Sequence, residues 1–255
     1  MCKLFHAKTG DVHLTKTRAG ILALCLCAAP SMVSAQTMQW TGKGFITVNG
    51  GFQAGDHDLG TSSSFPLYEE TATVTSTQEV KGGGFFDIGG AYKIYGNNFL
   101  VGVNFTHTSS DADVNISASI PDPAVFDKPR NVTSTQPDAG HTENTVHLSV
   151  IYMMPVAEKL DIGFFGGPSI FSVKQDTITT LNVTEPGPVV NAPLTEVSKT
   201  TVGFNLGLDV QYLITKMIGV GGLARYSWGS ADIDGAADKL TVGGFQIGGG
   251  LRVRF

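Results

Sequence analysis

From residue 44 onward, apolar and polar positions alternate with a period of two in eight separate stretches. That spacing places successive side chains on opposite faces of a β-strand. Residues 44–53 put Ile46, Val48 and Phe52 on one face and Thr47, Asn49 and Gln53 on the other. Residues 85–95 set Phe86, Ile88, Tyr92 and Ile94 against Asp87 and Lys93, and residues 99–108 set Phe99, Val101, Val103 and Phe105 against Asn104 and Thr106. Residues 145–154 oppose Val146, Leu148, Val150 and Tyr152 to His147 and Ser149, and residues 160–173 oppose Leu160, Ile162 and Phe164 to Asp161. The alternation is cleanest over 202–212, where Val202, Phe204, Leu206, Leu208, Val210 and Tyr212 face away from Asp209 and Gln211. Residues 218–230 place Ile218, Val220, Ala224, Tyr226 and Trp228 opposite Arg225. In the last stretch, 241–255, Phe245, Ile247, Leu251, Val253 and Phe255 share one face, and Gln246, Arg252 and Arg254 share the other.

The connectors alternate as regularly as the strands. Long polar stretches at about 54–82, 109–143 and 174–199 are interleaved with short ones at 96–98, 155–159 and around Thr215-Lys216; a shorter loop at about 231–239 precedes the last strand. Gly96-Asn97-Asn98 has the composition of a tight turn. The second half of the first long stretch, TATVTSTQEV, alternates well enough to extend the strand that follows it. Prolines at 121, 123, 129 and 137 mark the tip of the second long stretch, and those at 186, 188 and 193 fall in the third. Pro168 cannot donate to a ladder, so it is expected at a bulge or at the upper limit of the fifth strand's embedded part. The predicted fold is all-β: an eight-stranded antiparallel up-and-down barrel, with long loops on one end and short turns on the other. A β-sandwich would have nothing to force its long loops onto one end.

The two faces decide which way the barrel is turned. The interior of an eight-stranded barrel is narrow and filled by side chains. It would hardly hold the Phe, Tyr, Trp, Leu and Ile of all eight apolar rows, as a soluble, lipocalin-like barrel would require. Turned the other way, the apolar rows meet lipid and small residues line the bore. Asp87, Asp161 and Asp209 then share that bore with Lys93, Arg225, Arg252 and Arg254. Buried charges need partners, and this near-balance of signs provides a charge network in the lumen. Tyr92, Tyr152, Tyr212, Tyr226 and Trp228 lie near strand ends, where interfacial aromatics belong.

Composition agrees with a membrane barrel. The 255 residues are 42% hydrophobic but only 15% charged, with 32 glycines. After the amino-terminal segment no run approaches the roughly 20 apolar residues of a membrane helix, so a membrane-spanning form must be a closed barrel. Residues 1–35 carry Lys3, Lys8, Lys16 and Arg18, then an apolar run over 21–29 and small or apolar residues at Val33-Ser34-Ala35. They are expected to be a signal peptide cleaved after Ala35, leaving residues 36–255 as the barrel domain. All three cysteines (Cys2, Cys25, Cys27) fall in that leader, so the mature chain holds no disulfide and no thiol chemistry. Removing the leader takes away four positive charges and one negative (Asp11), moving the formal net charge from −5 to −8. That acidity argues against nucleic acid as a partner.

The signal segment, eight alternating strands, three short turns and the ending FQIGGGLRVRF together resemble the small OmpA-like and OmpW-like barrels of Gram-negative outer membranes. The likeness covers essentially all of 36–255. It implies location in the cell outer membrane with both termini periplasmic, and contact with outer-membrane lipid and lipopolysaccharide. It also implies that Phe255 is the insertion signal read by the barrel-insertion machinery. The full OmpA architecture adds a peptidoglycan-binding domain after the barrel; this chain stops at the barrel, so cell-wall anchoring is not carried over.

Candidate chemistry is sparse. Phe105-Thr106-His107-Thr108-Ser109 resembles the F-x-H-x-S string of outer-membrane lipid A deacylases, in which a histidine activates a serine against an acyl ester. Parity turns His107 and Ser109 toward lipid, but Ser110 stands where those enzymes carry Asn, the acidic partner (Asp111 or Asp113) is only a guess, and the string lies in an early strand instead of a late one. His147 is expected to face the interior and bond an inward carboxylate. His57 and His141 are expected in loops without ligand spacing, so no metal is predicted. The GGG clusters at 82–84 and 248–250 suit a crowded interior better than a phosphate cradle, and no cofactor is implied. The expected role is non-enzymatic: structural, or surface recognition through the long loops with an extracellular partner. The alternatives are a narrow conduit for small or hydrophobic solutes and a lipid A esterase.

Overall fold

The computed structural model describes residues 42–55, 57–178, 182–184, 189–233 and 239–255. The expected signal peptide and its cleavage point lie outside them, as does the side chain of His57.

Twelve strands follow in chain order: β1 (Gly44–Ala54), β2 (His57–Leu67), β3 (Glu70–Val80), β4 (Gly84–Tyr95), β5 (Phe99–Ile120), β6 (Arg130–Ala157), β7 (Leu160–Ile178), β8 (Asn182–Thr184), β9 (Val189–Asn191), β10 (Leu194–Leu213), β11 (Ile218–Ala231) and β12 (Leu240–Arg254). Eight of them close a ring. β1 pairs with β4, β4 with β5, β5 with β6 and β6 with β7. The ring continues from β7 to β10, β11 and β12, and β12 returns to β1, every pair antiparallel. With no free edge left in the ring, each backbone group can find its partner within the wall, the condition for crossing lipid.

One rim collects the short turns and both ends of the ring. Across it, Met153 N–H donates to Asn98 C=O (2.7 Å), Leu213 N–H to Lys159 C=O (2.8 Å), Arg254 N–H to Met217 C=O (2.7 Å) and Phe255 N–H to Gly44 C=O (3.0 Å). Above this rim the outside of the wall is apolar. Ile46, Phe86, Val103, Val150, Leu206 and Ile247 are among its exposed side chains. Ring contacts Phe99–Tyr152 (5.1 Å) near the turns and Phe204–Trp228 (5.7 Å) toward the other end mark its margins. On β11 the outward row runs from Ile218 to Trp228, about 33 Å of strand at ~3.3 Å per residue. Tilted by roughly 40°, that covers the ~25 Å apolar band of an outer-membrane barrel.

The three long stretches are not irregular loops. TATVTSTQEV does not prolong the following strand. It is β3, hairpinned with β2 and laid against the upper half of β5, Thr73↔Ser119 to Gln78↔Val114. Gly82 and Gly83 separate it from β4. A β-carbon at Gly82 would lie 1.9 Å from the Gln53 carbonyl oxygen, and one at Gly83 would lie 2.1 Å from that of Ser109, so only glycine lets the chain cross there. β5 and β6 continue as paired strands through most of 109–143, and only 121–129 is left as a turn, holding three of the four prolines. Pro137 lies within β6, beside the left-handed Asp138 and the register shift at Ala112/Val114. β7 and β10 likewise stay paired up to Ile178↔Leu194.

A reversal of polarity along single strands underlies this architecture. On the lower part of β5 the odd positions, Phe99 to Phe105, are apolar and exposed, while the even ones face the bore. Beyond Ser109 the pattern inverts: Val114, Ile116, Ala118 and Ile120 are buried, and Asp111, Asp113, Asn115 and Ser117 are exposed. The inside has not moved; the medium outside has changed from lipid to water. The buried row joins Val74, Ala139, Ile178 and Ala192, with Phe65, Leu67, Val132, Val183 and Leu194 packed around it, in an apolar core above the ring.

Candidate functional site

The bore is the densest concentration of buried polar groups, and its residues come from every wall strand. Nearest the short turns, β12 presents Arg254 and Arg252 inward. Arg254 Nη2 donates to Asp161 of β7 and to Gln211 Oε1 of β10 (2.9 Å). Gln211 Nε2 donates to Asp209 Oδ2 (2.9 Å). Arg252, 0% exposed, grips the same carboxylate with Nε (3.1 and 3.2 Å) and Nη2, and reaches Asn49 Oδ1 of β1 with Nη1 (2.6 Å). This bidentate geometry is the strong form of a charge-assisted pair.

Asn49 Nδ2 hands the chain on to Asp87 Oδ1 of β4 (2.8 Å). Asp87, also 0% exposed, accepts in addition from Asn104 Nδ2 (3.0 Å), Thr106 Oγ1 (2.8 Å) and Arg225 Nη1 (3.0 Å). Four donors on one carboxylate offset the cost of removing its charge from water. Arg225 lies 5.6 Å above the Phe165 ring and also donates to Gln246 Oε1 (3.3 Å). Gln246 Nε2 donates to Gln53 Oε1 (2.7 Å), and Gln53 Nε2 donates to Glu143 Oε2 (3.1 Å). Glu143 is bonded to His141 (3.0 Å), His141 to Gln175 Oε1 (2.7 Å), and Gln175 Nε2 donates to Gln78 Oε1 of β3 (2.9 Å). A single side-chain hydrogen-bond chain therefore runs along the bore from Asp161 near the short turns to Gln78 above the ring.

Apolar side chains fill what the chain leaves. Phe45, Phe85, Leu100, Ile151, Met153, Phe165 and Leu223 pack inside the lower bore, and Leu59, Phe171, Val173, Leu240 and Val242 inside the upper. An interior lined by small residues is thus only half right: glycines make room for large neighbours. A β-carbon at Gly207 would come within 2.5 Å of Phe165, and one at Gly221 within 2.8 Å of Arg252 Nε. The space beside Asn49, Asn104, Asp209, Arg225 and Arg252 is about 30 Å³, room for roughly two waters.

Six of the seven charges expected in the bore form three ion pairs, Asp87–Arg225, Asp209–Arg252 and Asp161–Arg254. Lys93 is half-buried at the turn end, its backbone N–H on the Lys43 carbonyl (2.8 Å). His141 is not in a loop as expected: it is buried in the bore, and so is Glu143, because the paired strands continue through 109–143. Both sit on β6, and Glu143 also accepts from Gly243 N–H (3.1 Å), which the left-handed φ of +91° at Gly243 turns inward. The alternation of β6 was the signal that could have found them.

His147 bonds no carboxylate. Its Nδ1 pairs with Ser169 Oγ (2.8 Å), because the inward neighbours at its level on β7 and β10 are Ser169 and Asn205. Here Pro168 interrupts the β6–β7 ladder, which skips from His147↔Ser169 to Val150↔Gly166. Asn205 Nδ2 compensates by donating to the carbonyls of Gly167 (3.0 Å) and Pro168 (3.3 Å). His107 and Ser109 are exposed on the outer face, two residues apart on β5. His107 Nδ1 is paired with Asn144 Oδ1 across the ladder (2.8 Å), not with Asp111 or Asp113.

A closed antiparallel ring with a greasy exterior and an ionic interior defines a transmembrane β-barrel. Residues 19–255 match the family described as Outer membrane protein beta-barrel domain, and the chain belongs to that family, whose members reside in the outer membrane of Gram-negative bacteria. Among solved structures it is similar to Neisserial surface protein A (14% identity, 83% of this chain and 97% of that one, TM-score 0.44). It is similar also to OprG from Pseudomonas aeruginosa (11% identity, 87% and 99%, TM-score 0.41) and to the attachment invasion locus protein Ail of Yersinia pestis (12% identity, 82% and 99%, TM-score 0.37). No curated protein matches the chain.

Proposed function

We propose that this protein is a non-enzymatic outer-membrane barrel whose bore is closed by its own side chains and whose work is structural or surface recognition by the β-structured part above the ring. The observation that carries this reading is the unbroken chain of hydrogen bonds from Asp161 to Gln78. Satisfied buried networks rigidify a core, and solute passage would have to break several of these pairs at once. In this reading residues 1–35 are removed after Ala35, both termini face the periplasm, and lipopolysaccharide surrounds the outer rim. Single-channel recording in planar bilayers tests it. A silent barrel is expected; stepwise openings would replace this reading with that of a narrow conduit for small or hydrophobic solutes.

The 2.8 Å contact of His107 with Asn144 favours a second reading, since it leaves Nε2 of an oriented imidazole on the same outward face as Ser109. That is the beginning of an acyl-ester site at the lipid surface. Mass spectrometry of lipid A from cells carrying the wild type, His107→Ala or Ser109→Ala decides it. Unchanged acyl number across all three removes the esterase.

A further inference from the structure

Above the membrane band, β2, β3, β5 and the upper part of β6 lie side by side, and their registers align the outward positions into cross-strand rows. One row is Ser62–Thr75–Ser117–Thr133. The row on one side of it is Ser64–Thr73–Ser119–Asn131, and on the other side Gly60 leads to Thr77–Asn115–Thr135. Apart from Gly60, every position carries a short hydroxyl or carboxamide, and all but the half-buried Ser119 and Gly60 are exposed. None of the twelve is charged or aromatic. By contrast, the outward face of β7 and β10 at their upper ends carries Lys174 paired to Glu196 (2.8 Å). A shallow, open depression lies over Thr75, Thr77, Asn115, Ser117, Thr133 and Thr135.

We infer that this hydroxyl-rich face binds the neutral sugars of lipopolysaccharide standing in the same leaflet. Continuity with the lipid-facing surface carries the argument. The outward row of β5 passes from Phe105, the last apolar residue of the band, through His107 and Ser109 and then Asp111 and Asp113, to Asn115 and Ser117. Ser117 is twelve residues beyond Phe105, some 40 Å of strand, or roughly 30 Å of height if the tilt of the barrel is kept. The polar headgroup layer of a bilayer is only about 5–8 Å deep. At the height of Ser117 the component of the outer leaflet beside the wall is therefore its glycan. Short hydroxyls and carboxamides both donate and accept, as sugar hydroxyls do, and here they repeat about every 4.8 Å across the strands and 6.8 Å along them. Below the array, exposed Asp111 and Asp113 stand beside the Lys81–Glu79 pair (3.7 Å), leaving a net negative charge that disfavours sulfated chains.

This deepens the surface-recognition half of the proposed function and rests on it. The test uses the folded barrel in detergent micelles, titrated with soluble core oligosaccharide released from lipid A, and separately with the truncated core that lacks neutral hexoses. Binding of the complete oligosaccharide and not the truncated one is expected. The variant Thr75→Val/Ser117→Ala/Thr133→Val, which keeps volume and strand propensity, should weaken binding about tenfold by removing three hydrogen-bonding groups. The heat-dependent gel migration of a folded barrel should stay unchanged. Equal binding of both oligosaccharides, unaltered binding by the variant, or preference for heparin over the neutral core would each overturn the inference. So would loss of binding on Tyr68→Ser/Phe126→Ser at the exposed hairpin tips but not on the triple variant. A barrel that conducts yet still discriminates the oligosaccharides would overturn the closed bore alone.

Discussion

Asp87 and Arg225 show how the bore's chemistry is held. Each is enclosed, each has its main charged partner in the other, and Asn49, Asn104 and Thr106 occupy the remaining sites on the carboxylate. Removing one member of such a pair strands the other. Arg225→Met should therefore destabilise the folded barrel by about 3–5 kcal/mol, whereas Asp87→Asn combined with Arg225→Met should lie close to wild type. Urea unfolding in lipid vesicles, followed by tryptophan fluorescence, measures both. A double variant as unstable as the single one would mean that the network matters beyond this pair. Of the charged residues in the bore, those on the eight predicted strands are legible in the sequence, because a charge on the polar side of a strand announces itself; Glu143, in a stretch that reads as loop, is not. Gln53 and Gln246 are placed on inward faces by the alternation, and Gln175 falls in a stretch that reads as loop, but nothing in the sequence shows that the three relay hydrogen bonds, since a glutamine on a polar face suits water equally well. Only the distances tie them into a chain.

At the scale of the strand, the outer medium divides each long element in two. On β5, Val103 meets lipid while Ile116, higher up, packs in the apolar core above the ring. Substitutions at the two sites should fail differently. Val103→Arg, near the middle of the apolar band, is expected to cost about 2–4 kcal/mol of barrel stability. Ile116→Asp should leave the ring intact but loosen the β2–β3 hairpin that packs over it. Limited proteolysis reads this as new cleavage within 57–80 while the heat-resistant barrel band persists. If Ile116→Asp unfolded the ring as well, the upper structure would be no separate layer. The strand pattern within the band was readable because lipid outside and a polar bore inside give opposite rows. Above it, the rows invert: water takes the outside and an apolar core the inside. Read with one rule throughout, 57–80 and 109–143 look merely polar.

For the whole molecule, closure is the deciding event. β1 and β12 lie at opposite ends of the chain, yet they pair from Phe45↔Arg254 to Ala54↔Phe245, and that seam brings Arg252 and Arg254 against Asp209 and Asp161. Phe255 sits at the seam's lower end, its N–H on the Gly44 carbonyl. If insertion reads this residue, Phe255→Ala should lower the yield of assembled barrel in cells while purified protein refolds into vesicles at the wild-type rate. Equal loss in both assays would assign Phe255 to packing alone.

Alternation with a period of two, terse turns set against long connectors, and a surplus of apolar rows over what a narrow bore can hold were enough, in the sequence alone, to settle an eight-stranded barrel turned greasy side out. Those are local properties, carried by neighbours two residues apart. Which aspartate meets which arginine, how glutamines link the pairs, where Pro168 opens the ladder and Asn205 answers it, and how three polar stretches become a second layer were decided only by the tertiary structure. Most of these depend on residues distant in the chain, as Asn49 and Arg252 are at 203 positions apart, and such residues become neighbours only when the ring closes.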